Sequence, residues 1–289
     1  MKRLIKAKLL VDTGDPNEAQ AIQDLLQKED YAGLDGATTN PSYFAMNPAV
    51  KKKIATGEKY FEQDLLAVYQ QTVRELEKII PGGDISVEVF ADKNTSAGAM
   101  VKQAEIMSQW IPTARIKLPI IAEGLKAAEQ LKDRVRLNMT LCFSQQQAAA
   151  VYEATLGATE PVYISPFIGR FEDRGQNGAE LVGNIVKMME DTDGHVKVLA
   201  ASFRTLENIY EIIRVGADVV TINKERFELW AQNGFEVPGK EFVYEFKGQS
   251  IPYEQVEMGK EWQDYNIQHE LTEAGLKKFV EDWNALLEK

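Results

Sequence analysis

The sequence predicts a parallel α/β fold, a (β/α)8 TIM barrel with additional C-terminal helices. Three observations predict it. Eight short strand-like runs alternate with helix-patterned stretches, the strand-like runs keep polar residues to one face, and 289 residues suffice for such a barrel as one domain. No low-complexity segment and no Pro/Gly linker divides the chain, so residues 1–289 read as a single domain. Its barrel core covers about residues 8–223, followed by a helical extension over 224–289.

The strand-like runs lie at residues 8–14, 34–40, 84–90, 114–119, 135–142, 161–167, 196–203 and 217–223. Between them, residues 17–28, 96–110, 123–132, 144–155, 179–190 and 205–215 carry apolar side chains at helical spacing. Ser144 and Thr205 stand where helix N-caps belong. Helical patterns return at 224–232 and 272–287. The stretch 234–268 mixes Gly, Pro and aromatic residues and reads as loops with short helices.

Composition excludes several classes. The net charge of -11 and the lack of a basic cluster argue against a nucleic-acid partner. Lys51-Lys52-Lys53 is a solvated helix face. No apolar run approaches the roughly 20 residues a membrane span needs, and the N-terminal apolar stretch is cut by Lys6 and Lys8, unlike a signal peptide. The one cysteine, Cys142, has no partner for an internal disulfide and reads as a small core hydrophobe. A cytoplasmic location is the default expectation. The two histidines, His195 and His269, have neither zinc-ligand spacing nor a nucleophile-elbow context, so no metal is expected.

Strand side chains alternate between the helix layer and the barrel interior. Leu9 and Val11 share one face, with Asp12 on the other. Ile85, Val87 and Val89 oppose Ser86 and Glu88; Ile116 and Leu118 oppose Arg115 and Lys117; Leu137, Met139 and Leu141 oppose Arg136, Asn138 and Thr140. In the seventh run Leu199, Ala201 and Phe203 oppose Ser202, with Arg204 next on the Ser202 side. Asp12, Glu88, Lys117, Asn138, Thr140 and Ser202 should therefore converge on one cavity, joined by Asn40 from the end of the second strand. Singly, a strand-end lysine is usually a solvated rim residue and a buried Thr or Asn is usually hydrogen-bonded structure. Together, a lysine, two carboxylates and three neutral polar groups are costly to bury without a role.

The constellation has a chemistry. An amine in a closed cavity can attack a ketone to form a Schiff base, whose iminium accepts electrons when a neighbouring carbon–carbon bond breaks. One carboxylate can take the proton of the sugar hydroxyl while the other serves the water of the imine steps. Asn and Ser side chains suit sugar hydroxyls, and Arg170 with Arg204 can grip an anion bidentately.

The same residues carry a resemblance. Val11-Asp12-Thr13-Gly14-Asp15 and Gly36-Ala37-Thr38-Thr39-Asn40-Pro41-Ser42 resemble the opening of transaldolases. Ser86-Val87-Glu88-Val89 resembles their third strand, and Arg115-Ile116-Lys117-Leu118-Pro119 with Glu123-Gly124 resembles their Schiff-base strand. Leu137-Asn138-Met139-Thr140-Leu141-Cys142-Phe143-Ser144 with Gln147-Ala148, Ile164-Ser165-Pro166-Phe167-Ile168-Gly169-Arg170, and Ala200-Ala201-Ser202-Phe203-Arg204 follow in the family's order. Leu271-Thr272, Gly275-Leu276, Phe279 and Asp282-Trp283 resemble its C-terminal helix.

The resemblance implies roles. Lys117 forms the Schiff base, Asp12 is the acid/base at the bond that changes, and Glu88 and Thr140 hold the catalytic water. Asn40, Asn138 and Ser165 orient a dihydroxyacetone unit, and Arg170, Ser202 and Arg204 bind the phosphate. The implied reaction moves dihydroxyacetone from fructose 6-phosphate or sedoheptulose 7-phosphate to an aldose phosphate, with no metal or organic cofactor. The alternatives are a fructose-6-phosphate aldolase that releases dihydroxyacetone, a transaldolase for a related ketose such as a sulfonated sugar, and a sugar-phosphate-binding barrel without catalysis. Glu88 and Phe167, where the aldolase branch resembles glutamine and tyrosine patterns, favour transfer. Ile120 and Ile121 replace a usual hydroxyl residue, Asn223 replaces a common proline, and Asp173-Arg174-Gly175-Gln176-Asn177-Gly178 looks more like the aldolase branch. The oligomeric state stays open.

Overall fold

A computed structural model describes residues 1–239 and 241–288. Eight parallel strands close a barrel in chain order: β1 (Lys8–Asp12), β2 (Gly36–Thr38), β3 (Asp84–Glu88), β4 (Ala114–Pro119), β5 (Arg136–Cys142), β6 (Val162–Pro166), β7 (Val196–Ala200) and β8 (Val219–Ile222). The barrel closes as β8 pairs with β1, Leu10 opposite Thr221. Each strand lies inside its expected run. The runs overshoot because their last residues turn away to start the helices and loops of the barrel's C-terminal rim.

Around the barrel lie α1 (Pro16–Lys28), α2 (Pro41–Ala45), α3 (Pro48–Ala55), α4 (Glu62–Ile79), α5 (Ala97–Met107), α6 (Ala122–Leu131), α7 (Gln145–Ala154), α8 (Ile168–Glu172), α9 (Gly178–Met189), α10 (Leu206–Val215), α11 (Lys224–Gln232) and α12 (Glu270–Asn284). Caps start several of them. Ser144 Oγ accepts from Gln147 N, and Thr205 with Asn208 forms a reciprocal capping box. Between residues 40 and 84 the sequence reading expects only the helix face of Lys51-Lys52-Lys53, which lies in α3; α2 and α4 form there as well. The stripe that buries α4 is plain in its sequence: Leu65, Tyr69, Thr72, Val73 and Leu76 recur at helical spacing and face the barrel. No helix among the described residues is long and apolar enough to cross a membrane.

The register corrects the expected face of the seventh strand. Lys197 pairs with Tyr163, and Leu199 pairs with Val219. Tyr163 points into the barrel, where its hydroxyl reaches Asp84, so Lys197 and Leu199 share the inward face. Ser202 is thus not an inward strand residue. The strand stops at Ala200, and Ser202 takes a left-handed φ of 67° that redirects its side chain into the cavity.

The N-terminal end of the barrel is plugged by a buried ionic layer. Arg115 grips Asp84 through Nε–Oδ1 at 2.7 Å and Nη2–Oδ2 at 2.9 Å, and donates to the carbonyls of Leu137 and Pro161. The Tyr163 ring lies 3.7 Å from the Arg115 guanidinium. Burial alone would raise the Asp84 carboxyl, but the Arg115 guanidinium outweighs it and holds the group below its ordinary value. Arg115→Met should leave the buried Asp84 carboxylate without its main partner, with only the half-exposed Lys8 at 3.6 Å and the Tyr163 hydroxyl to offset it. Stability is expected to fall by about 3–5 kcal/mol, read as a lower urea midpoint at unchanged slope; an unchanged midpoint would show the pair to be dispensable.

Beyond α11 the chain runs as an irregular strap whose one helical piece among the described residues is the 3₁₀ turn Trp262–Asp264. The strap is tied to successive helices from outside. Gln249 pairs its backbone with Gly175 and Asn177, Glu180 accepts from Ser250 and Ile251, Gln145 holds Glu254, and Tyr265 reaches Glu153. It delivers α12 across the C-terminal mouth, against α2 and β5. There Thr272 Oγ1 donates to the Leu141 carbonyl at 2.9 Å. A Cβ on Gly275 would lie 2.6 Å from Leu141 Cδ2, so glycine lets the helix seat this closely without moving that side chain.

Candidate active site

Side chains from all eight strands or strand ends meet under α12. Asp12, Asn40, Phe167, Arg170, Ser202 and Arg204 line an open cavity of about 740 Å³, together with Tyr43, Thr221, Asn223 and Phe279. Lys117, Glu88, Asn138, Thr140 and Ser165 are buried beneath its floor, none above 6% exposed. All eleven residues singled out from the sequence therefore gather at the C-terminal end of one barrel, where the βα loops of such folds hold their sites.

Lys117 occupies the centre. Its Nζ lies 2.9 Å from Glu88 Oε2 and donates to the Thr39 carbonyl at 3.3 Å. The Glu88 contact is an ion pair rather than a directed hydrogen bond, and Oε2 has no hydrogen-bond partner among the described residues. Burial raises the Glu88 carboxyl above its ordinary value; the Lys117 charge only partly offsets this. A carboxylate so raised is suited to exchange a proton with an amine beside it. The rings of Phe167 and Phe279 lie 6.0 Å and 5.8 Å from the ammonium and separate it from bulk water.

Asp12 ends β1, buried, with Oδ1 accepting from Thr38 Oγ1 at 2.7 Å. Thr38 in turn shares a 2.6 Å hydrogen bond with Thr221. Burial lifts the Asp12 carboxyl to about 6, against the opposing pull of Lys117 and the Thr38 hydroxyl. A carboxyl poised there can both take and return a proton near neutral pH.

Asn138 bridges the floor, donating to Ser86 Oγ at 3.1 Å and accepting from Ser165 Oγ at 2.7 Å. Thr140 Oγ1, next along β5, is buried with no hydrogen-bond partner among the described residues. Directly after it the β5–β6 register breaks and Leu141 adopts a φ of 62°. A bulky residue is rare in that region, and such strain persists only where the surroundings enforce it. Thr272 and Gly275 of α12 supply the enforcement. The unpaired atoms of Glu88 and Thr140 both suit a hydroxyl or water brought by a ligand.

The rim carries the two arginines that the sequence reading expects to hold an anion. Arg204 is held by Asp173, Nε–Oδ1 at 3.0 Å and Nη2–Oδ2 at 2.9 Å, while its Nη1 donates to Ser202 Oγ at 3.3 Å. A Cβ on Gly169 would sit 2.4 Å from Arg204 Cζ, so glycine is what lets the guanidinium lie there. Arg170 makes no ion pair among the described residues, and burial with the neighbouring Arg204 charge pushes its guanidinium down. Two close guanidiniums, one of them unpaired, are relieved by an anion between them.

Sequence reasoning passed over Thr38, Tyr43, Asp173, Thr221 and Phe279. Thr38 and Thr221 were within reach of the strand alternation, sharing the inward parity of their strands. Tyr43, Asp173 and Phe279 had no such signal, because they come from helices and loops. Cys142 is a core residue whose buried thiol is pushed up to about 12. His269 caps α12, its Nδ1 accepting from Leu271 N, and stacks on Phe143. No group of three or more His, Cys, Asp or Glu among the described residues is placed to hold a metal ion.

A closed parallel barrel with a buried lysine and two carboxylates at its C-terminal end defines a class in which one relationship stands out. The family model for Transaldolase/Fructose-6-phosphate aldolase matches residues 9–289. A probable transaldolase of Bacteroides thetaiotaomicron is 33% identical over 277 residues, covering 96% of this chain and 97% of that protein. Another from Thermus thermophilus is 31% identical over 267 residues, covering 92% and 96%. A third, from Brucella anthropi, is 38% identical over 216 residues, covering 74% and 84%. The chain belongs to the transaldolase/fructose-6-phosphate aldolase family.

Proposed function

We propose that this protein transfers a dihydroxyacetone unit from a ketose phosphate, such as fructose 6-phosphate or sedoheptulose 7-phosphate, to an aldose phosphate through a Schiff base on Lys117. The observation that carries this reading is the buried amine of Lys117, 2.9 Å from Glu88 and within the electrostatic reach of Asp12.

The chemistry follows from the residues. The amine, its proton passed to Glu88, adds to the ketone carbon, and the carbinolamine loses water to give an iminium. Asp12 takes the proton from the hydroxyl on the far side of the scissile bond. That bond's electrons move into the iminium, leaving an enamine on Lys117 and releasing an aldose phosphate. An incoming aldehyde is attacked by the enamine, Asp12 returns its proton to the new alkoxide, and water, held by Glu88 and Thr140, hydrolyses the imine. Asn40, Asn138 and Ser165 hold the dihydroxyacetone hydroxyls. Arg170, Arg204 and Ser202 grip the anion at the other end.

A second reading, an aldolase that releases free dihydroxyacetone, turns on whether water protonates the enamine before an acceptor arrives. Phe167 bears on this directly. Its ring packs beside Lys117 and edge-on to Phe143, and it can neither donate nor relay a proton. Phe167→Tyr is expected to raise acceptor-independent release of dihydroxyacetone, measured enzymatically with fructose 6-phosphate alone. No gain would remove Phe167 as the reason for transfer. The function itself is tested by supplying fructose 6-phosphate and erythrose 4-phosphate together: sedoheptulose 7-phosphate is the expected product, whereas free dihydroxyacetone at the same rate with or without acceptor would favour the aldolase.

A further inference from the structure

Two polar side chains on the cavity wall have no part in the steps above. Tyr43 comes from α2, whose backbone is held on three sides. Asn40 Oδ1 accepts from Tyr43 N at 2.9 Å, Asn47 Nδ2 donates to the Gly14 carbonyl at 2.8 Å, and Gly14 lies so close that a Cβ there would meet the Tyr43 carbonyl oxygen at 2.4 Å. The short helix cannot shift without breaking these contacts, so the phenol is aimed at the cavity it lines. It lies close enough to Asp12 and to Arg204 for both charges to act on it. Burial pushes the phenol up, with the Asp12 charge adding to it, so the group stays a neutral O–H.

Asn223 lines the same cavity from the end of β8. Its Oδ1 is committed to the N-cap of α11, accepting from Arg226 N at 3.2 Å. That bond fixes the amide so that Nδ2 can turn one donor to the Tyr43 phenol and keep the other for a ligand in the cavity. The amide's hydrogen bond partly opposes the upward shift of the phenol. One neutral donor/acceptor and one neutral donor thus share a cavity wall with the Asp12 carboxyl and the Arg204 guanidinium. A group that both donates and accepts beside a fixed donor matches a hydroxyl, which also does both, whereas an apolar group would leave them unmatched.

Resting on the proposed Schiff-base reading, we infer that Tyr43 and Asn223 form a specificity subsite that reads the hydroxyls of the aldose half of the substrate. The position follows from the two ends of the sugar. Asp12 handles the hydroxyl at the bond that breaks, and Arg204 holds the terminal anion, so the carbon or carbons between them pass the phenol and the amide. In fructose 6-phosphate that carbon is C5, with one hydroxyl. In a ketose one carbon longer there are two. A site built to bond a hydroxyl rejects an analogue that lacks it, because its own buried groups are left unmatched.

The test compares kcat/KM for fructose 6-phosphate and 5-deoxyfructose 6-phosphate, with erythrose 4-phosphate as the fixed acceptor. Tyr43→Phe keeps the ring and its packing but removes the O–H. Asn223→Asp keeps the helix cap but replaces the N–H donors with an acceptor. The wild-type protein should favour the hydroxylated donor, and each variant should shrink that preference by at least about tenfold. The ratio is taken within each protein, so a general loss of activity cancels. A preference that stays the same in both variants, or is absent in the wild type, overturns the subsite. Failure of the underlying reading looks different: borohydride then traps no adduct of wild-type protein with dihydroxyacetone, a probe without an aldose half.

Discussion

Lys117→Met should abolish turnover while leaving a folded barrel. Among the described residues no other amine is buried beside Glu88. Lys224, Lys277 and Lys278 also line the cavity but are at least partly exposed and paired with Glu228, Glu281 and Asp282. Arg115 is engaged with Asp84 at the opposite end of the barrel. Loss of a covalent nucleophile typically costs at least about 10⁴-fold in rate. Methionine preserves most of the aliphatic stem that packs beside Phe167 and Phe279. Its sulfur leaves Glu88 without the ammonium that now holds its pKa down, so the buried carboxyl rises further and takes a proton instead of standing as a naked charge. The fold is therefore expected to survive, with the same far-ultraviolet circular dichroism as wild type. Retention of wild-type turnover would end the Schiff-base reading.

Asp12→Asn is the second large effect. The amide keeps an acceptor for the Thr38 hydroxyl but has no proton-accepting capacity, and removal of a positioned acid/base costs about 10²–10⁴-fold in rate. The variant also alters the pH dependence. In the proposed mechanism the carboxylate form accepts the sugar proton, so kcat/KM should fall as pH drops through about 6 in the wild type. In Asp12→Asn the residual rate should lack that limb. Stability runs the other way. The folded value of about 6 lies above the ordinary value of 3.8, so folding favours the protonated carboxyl. That contribution is fully present below about 3.8 and is lost as pH rises through about 6. Unfolding titrations of wild type and Asp12→Asn across this window should diverge as the pH is raised, the variant losing less. Parallel curves would show that Asp12 titrates at its ordinary value.

What is legible in the sequence is what depends on local alternation. β3, β4 and β5 are short, buried and strictly two-periodic, so the pleat alone assigns Glu88, Lys117, Asn138 and Thr140 to the interior. The same rule fails at β7, because the strand ends two residues before Ser202 and a left-handed turn, not the pleat, decides where that side chain points. The positive φ of Leu141 is invisible in sequence, since nothing local favours it; α12 enforces it through Thr272 and Gly275, more than a hundred residues away in the chain. The hold of Asp173 on Arg204 is likewise a tertiary meeting of two loops. α4 differs from these: its stripe is readable and simply lies in a connection longer than a βα unit leads one to expect.

The most direct measurement is the intact mass of the protein after borohydride reduction in the presence of fructose 6-phosphate, with and without erythrose 4-phosphate, followed by peptide mapping. A reduced adduct of dihydroxyacetone size on Lys117 that disappears when the acceptor is added is required of a Schiff-base transferase acting on this donor. An unmodified Lys117 with every ketose phosphate tried, while transfer still proceeds, would contradict it.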